Sequence, residues 1–253
     1  MKNKIFAILI AVAATLVCAQ SEPTIAKPAS REHRGFYSNM SFGAAYNWYN
    51  SSQENYEEWN SDYEKKENHS RREIDLFEFY GGTFPTFEFK FGTALANLIA
   101  FHTVFNLGIY AGVMDYYYEE YQKDCEENKP CKYEAKKDEF EETSSDAYNF
   151  RTYLGFGTTI YPFRDKTSLL NGFFVGGSYG YSMFATMIMG GNEDACVNFG
   201  YAFQVEMGKE WWVNDHMSIG VGLGYARTNL VWQTISSHSS DNVLSLSFRL
   251  TRG

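Results

Sequence analysis

Residues 197–208 read VNFGYAFQVEMG. Each odd position is large and apolar: Val197, Phe199, Tyr201, Phe203, Val205 and Met207. Each even position is small or polar: Asn198, Gly200, Ala202, Gln204, Glu206 and Gly208. A period of two places alternate side chains on opposite faces of a β-strand. The same contrast recurs near residues 36–48, 76–91, 99–114, 148–161, 172–184, 217–225 and 243–251. An eight-stranded barrel has an interior just wide enough for side chains. Eight bulky faces would overfill it, whereas Gly, Ser, Ala and Asn with a few charges would fit. The bulky faces are therefore expected to meet lipid and the small faces to line the interior. A soluble, lipocalin-like barrel would need the opposite arrangement.

The predicted fold class is all-β: an eight-stranded antiparallel transmembrane β-barrel. A spanning strand needs about 9–11 residues, and the alternating segments reach that length. Three connections are short, at residues 92–98, 162–171 and 213–216. Two are long, at 49–75 and 115–147. Short periplasmic turns and longer extracellular loops are the pattern of an outer-membrane barrel. Closure removes the unpaired strand edges that hydrocarbon cannot satisfy. An even number of strands brings both chain ends to the periplasmic side.

Composition fits this reading. The chain has 253 residues, of which 18% are aromatic, including 21 Phe and 19 Tyr. That content argues against a disordered chain. Mean hydropathy is -0.39, a value that by itself suggests a soluble protein. The average conceals two populations, aromatic strands and loops rich in Glu and Lys. Residues 115–147 hold twelve acidic side chains and five lysines. Residues 49–72 add Glu54, Glu57, Glu58, Asp62, Glu64 and Glu67. The formal charge of -9 makes nucleic acid a poor partner.

Residues 1–19, MKNKIFAILIAVAATLVCA, combine Lys2 and Lys4 with an apolar run and a small-residue cleavage pattern. They read as a cleaved signal peptide; the rival reading is a lipoprotein leader acylated at Cys18. Residues 20–34 read as a flexible periplasmic lead-in, and 35–253 as the barrel domain. An exported chain meets an oxidising compartment, so a Cys125–Cys131 disulfide is expected. Cys196 stands alone, and no His lies at zinc-ligand spacing from the cysteine pair.

Several segments carry a family resemblance. GFYSNMSFGAAYNW (35–48), YPF (161–163), GFFVGGSYGYS (172–182), GKEWWV (208–213) and SIGVGLGY (218–225) resemble strands of small bacterial outer-membrane β-barrel proteins. These are the eight-stranded OmpA-, OmpX- and OmpW-like barrels. The resemblance implies location in the bacterial outer membrane of a Gram-negative-type cell. It also implies partnership with outer-membrane lipid and with the insertion machinery.

The parity of the strands assigns Glu78, Glu88, Lys90, His102, Arg151, Gln204, Glu206, Glu210 and Arg249 to the lumen. Paired carboxylates serve as acid and base when their environments differ. Buried charges also need partners, so a structural network of ion pairs is the expected role. Trp48, Tyr49, Trp211, Trp212 and Trp232 lie near strand ends, where aromatic girdles form. A lipid-modifying enzyme is the rival class, with His102 beside Thr103, His216 beside Asp215, and His238 within SSHSSD as its candidates. No catalytic set, metal site or cofactor is read from the sequence. The expected role is structural or interactive at the cell surface, as a monomer. The acidic loops would carry any extracellular ligand, and a narrow small-solute channel is the alternative.

Overall fold

The structure is a computed structural model, and it describes residues 31–62, 67–125, 132–135, 141–189, 196–230 and 238–253. Its strands are β1 (Gly35–Asp62), β2 (Glu67–Leu95), β3 (Ile99–Cys125), β4 (Lys132–Ala135), β5 (Glu141–Ile160), β6 (Phe173–Ile188), β7 (Cys196–Trp212), β8 (Met217–Leu230) and β9 (His238–Arg252). Every pairing between them is antiparallel. Eight strands form the barrel in the order β2-β1-β9-β8-β7-β6-β5-β3, and β2 pairing with β3 closes it. The ninth, β4, pairs only with the outer part of β3, as in Tyr121 opposite Ala135.

Alternation settles which face points where. Along β1, Tyr37, Asn39, Ser41, Ala45 and Asn47 are buried, while Phe36, Met40, Phe42 and Tyr46 are exposed. All eight barrel strands repeat this, with Phe105, Leu154, Tyr181, Phe203, Val221 and Leu246 among the exposed residues. A contiguous apolar surface of this extent marks a membrane-contacting face. The bulky residues of 197–208 point outward, as the sequence pattern requires.

Glycines inside the barrel make room for rings on the same strand. A Cβ on Gly155 would lie 2.3 Å from the hydroxyl of Tyr153, and one on Gly81 would lie 2.5 Å from the Phe79 ring. In both cases an inward aromatic side chain lies over the glycine two residues further on.

Strand lengths depart from expectation at the outer end. The long connection expected at 49–75 is largely strand: β1 runs to Asp62 and β2 starts at Glu67. Likewise β3 continues through Tyr116, Tyr117 and Tyr118 to Cys125. At the other end the turns are short, except for the connection from Tyr161 to Gly172. The signal-peptide reading of 1–19 lies outside the described residues, as do Cys131 and Trp232.

Candidate functional site: the polar lumen

The interior is layered along the barrel axis. At the short-turn end lies an aromatic layer of Tyr37, Tyr161 and Phe174 with Ala94 and Ala100. His33 is seated against it. Its ring stacks on Tyr161 at 4.2 Å and meets Trp212 at 4.6 Å between centroids. Its backbone N–H donates to Asn97 Oδ1 at 2.9 Å, and Asn97 N–H donates back to its carbonyl at 3.0 Å. Residues 31–34 of the expected lead-in are thus packed against the barrel.

Next comes the charged layer. Glu206 is bracketed by two cations: Lys90 Nζ contacts Oε1, and Arg249 NH1 donates to Oε2 at 2.7 Å. Lys90 also lies 3.0 Å from Glu88 Oε1, while Gln204 donates to the other Glu88 oxygen. Glu210 accepts from Ser218 Oγ at 2.6 Å and from Thr251 Oγ1 at 2.9 Å. His33 Nε2 approaches Glu210 at 3.5 Å. The Arg249 guanidinium sits 3.9 Å from the centre of the Phe174 ring. The Nε2 of His102 lies 2.9 Å from Thr159 Oγ1, and its ring stacks on Tyr37.

Above this layer are two small cavities of about 20 Å³ and about 10 Å³, which share Thr86, Asn106, Gln204 and Ser245 as lining. A single water needs roughly 10–15 Å³, so each has room for about one. A second polar layer follows. Arg151 Nε donates to Asp241 Oδ2 at 2.8 Å, Thr228 Oγ1 donates to the same oxygen at 3.2 Å, and Asn47 donates to Oδ1. Asn149 donates to Asn47 Oδ1 at 2.8 Å. An apolar layer including Tyr49, Phe79, Tyr110, Met114 and Phe184 closes the outer side.

The structure therefore brings together Glu88, Lys90, His102, Arg151, Gln204, Glu206, Glu210 and Arg249 inside the barrel, as strand parity requires. Glu78 is the correction. It is half-buried on the outer wall, where Tyr80 OH donates to it at 2.7 Å. The cause is the register shift between Gly82 and Phe87. Such an irregularity breaks strict alternation and exchanges the faces on either side of it. Phe79 is inside and Tyr80 outside for the same reason.

Two girdle residues also move inward. Tyr49 is buried against Phe184, ring edge to face at 4.9 Å. Trp212 meets His33 at the lumen mouth. Neighbouring residues of a strand cannot share a face. Trp48 faces outward beside Tyr46 and Tyr225, and Trp211 is exposed on the outer wall.

The rival catalytic candidates are scattered. His102 faces inward, whereas Thr103 lines a groove on the outer wall with Phe91, Phe101 and Phe156. His216 and Asp215 are exposed in a turn, where Asn214 Oδ1 accepts from His216 N–H at 2.9 Å. Asp241 is committed to Arg151, and Ser239 bonds Ser51 at 2.6 Å. The His238 side chain lies outside the description. Among the described residues no cluster of His, Cys, Asp and Glu could hold a metal. Sequence reading missed Asp241 and His33 as lumen groups, while the strand parity already puts Asn47 and Asn149 on the small inward faces, where they are buried. Strand parity extended two residues upstream of Val243 would have placed Asp241 inside with Arg249 and Thr251.

No protein-family model matches the chain, and no curated protein matches it. Among solved structures it is similar to the outer membrane protein OprG from Pseudomonas aeruginosa. Identity is 10% and the TM-score 0.40, covering 88% of this chain and 99% of that one. The outer membrane protein AlkL, solved in lipid bilayers, gives 14% identity and a TM-score of 0.39 over 92% of this chain and 96% of that one. The attachment invasion locus protein Ail of Yersinia pestis gives 11% and 0.35, over 85% and 99%. The likeness is one of fold.

Proposed function

We propose that the protein is a plugged outer-membrane barrel that carries an interaction surface on strands extended beyond the bilayer. The observation that supports this is a mismatch of strand ends. On one side β1 pairs with β9 only as far as Ser52 opposite His238. On the other side it stays paired with β2 to Asp62 opposite Glu67. Residues 53–62 thus continue about 34 Å past that point at the rise of an extended strand. They are joined there by residues 67–75 of β2, the outer part of β3, and β4. Extended strands beyond a barrel offer backbone and side-chain surface to extracellular partners. This segment also holds much of the acidic charge of the chain.

The layered lumen supports a scaffold over a channel, because the charges among its described residues pair with one another and the two cavities described above each have room for about one water. The scattered His, Ser and Asp residues support a non-catalytic role. The partners read here are outer-membrane lipid and the insertion machinery, with a monomeric barrel. The test reconstitutes intact protein and a variant with residues 53–75 replaced by a tight turn. Both are presented to immobilised poly-lysine and to dextran sulfate. Binding to poly-lysine weakened by removal of the hairpin supports the reading; equal binding by both proteins overturns it. A steady open current in planar bilayers would overturn the plugged scaffold.

A further inference from the structure

The short-turn end differs in charge from the rest of the molecule. Its described side chains include six cations, Arg31, Arg34, Arg164, Lys166, Lys209 and Arg252. Against these stand three carboxylates: Glu32, Asp165 and Asp215. The excess is positive in a chain whose formal net charge is -9. The carboxylates are partly committed. Glu32 lies 2.9 Å from Lys166 Nζ. Asp165 accepts from the backbone and hydroxyl of Thr167 at 2.9 and 2.7 Å, which holds its carboxyl below the usual range.

The same end exposes apolar side chains beyond the barrel wall. In the turn between β5 and β6, Leu169 is 87% exposed and Leu170 50%. Phe163 of that turn packs edge-to-face on Phe173 with ring centroids 6.0 Å apart. Phe173 pairs in register with Lys209, which follows Met207 and precedes Trp211 on the outer face of β7. The Lys209 ammonium donates to the carbonyl of Leu169 and stands 5.6 Å from the Trp211 ring centre. A lysine ammonium has three donors, so this bond leaves two for another acceptor.

Exposed leucines in a polar turn are unfavourable in water and favourable at the edge of hydrocarbon. A lysine on the lipid-facing wall at that depth places its stem along apolar surface and its ammonium at headgroup level. We infer that this end of the barrel binds an anionic phospholipid of the adjoining leaflet. Lys209 and Arg164 take its phosphate, while Leu169, Leu170 and Trp211 lie along its acyl chains. The surface is continuous with the lipid-facing belt, and its positive charge complements the headgroup.

The test reconstitutes the protein in vesicles of phosphatidylcholine carrying either brominated phosphatidylglycerol or brominated phosphatidylcholine. The chain has five tryptophans, so the part of the fluorescence quenching that Trp211→Phe removes reports which lipid lies beside Trp211. Quenching by phosphatidylglycerol in excess of phosphatidylcholine is expected. Lys209→Gln with Arg164→Gln should lower that preference by about fivefold per cation removed, and Lys209→Arg should keep it. Arg164→Gln, on an exposed turn, reads out alone if the double variant does not insert. No preference in the native protein, or a preference unchanged in the variants, overturns the proposal. So does inorganic phosphate in the buffer abolishing the preference as effectively as the substitutions do.

Discussion

Arg151 and Asp241 illustrate how much single residues matter inside this barrel. Their side chains are 2% and 0% exposed and 2.8 Å apart. Breaking a buried pair leaves one uncompensated charge and typically costs about 3–5 kcal/mol, whereas removing both charges is far less damaging. Arg151→Met is therefore expected to lower unfolding stability by about that amount. Arg151→Met combined with Asp241→Asn should recover a large part of the loss. Urea titrations in lipid vesicles measure both, and strictly additive losses would contradict the pairing. His33 is a second case. It is held by stacking on Tyr161 and Trp212, contacts worth roughly 0.5–1.5 kcal/mol each. His33→Ala is expected to lower stability by about 1–3 kcal/mol on that basis. An unchanged midpoint would mean the residue is not seated in the folded protein.

At the scale of elements, the irregularity in β2 decides which carboxylates are buried. Residues on either side of the Gly82–Phe87 shift obey opposite parities, so Glu78 lies outside while Glu88 lies inside. Glu78→Leu is expected to change stability by no more than about 0.5 kcal/mol, as surface substitutions do. Glu206→Leu removes the partner of both Lys90 and Arg249 and should cost about 3–5 kcal/mol. Comparing the two variants in one unfolding assay checks the placement; similar losses would restore Glu78 to the lumen. The outer extensions of β1, β2 and β3 are a second elemental feature. Spanning hydrocarbon takes about 9–11 residues per strand. The 28 residues of β1 exceed that span, and the excess lies at the outer end. Trimming residues 53–75 should leave the barrel folded, because the lumen layers described above are built from residues on the barrel side of Ser52. Loss of heat-modifiable gel mobility in the trimmed protein would show instead that the hairpin supports the barrel.

For the whole molecule, the decisive features are a lipid-facing outside and a filled inside. Membrane fractionation should recover the protein with the outer membrane, and a soluble periplasmic form would be incompatible with its apolar wall. Planar-bilayer recordings are expected to show no steady conductance, because aromatic and ionic layers follow one another across the lumen. Strand number, antiparallel order and the direction of the bulky faces were legible in the sequence. Each follows from local alternation and from the fixed volume of an eight-stranded interior. Most lumen residues were legible by the same parity, as the run 197–208 illustrates. Parity failed where geometry is not local. The shift in β2 moved Glu78 outward, and the adjacent pairs Trp48–Tyr49 and Trp211–Trp212 had to split between faces. The pairing of Arg151 with Asp241 joins residues 90 positions apart. The seating of His33 against Trp212 joins segments from opposite ends of the chain. Alternation along a strand is a property of the backbone, and the sequence by itself determined it. Partners across the lumen depend on barrel closure and strand stagger, and only the tertiary structure decided them.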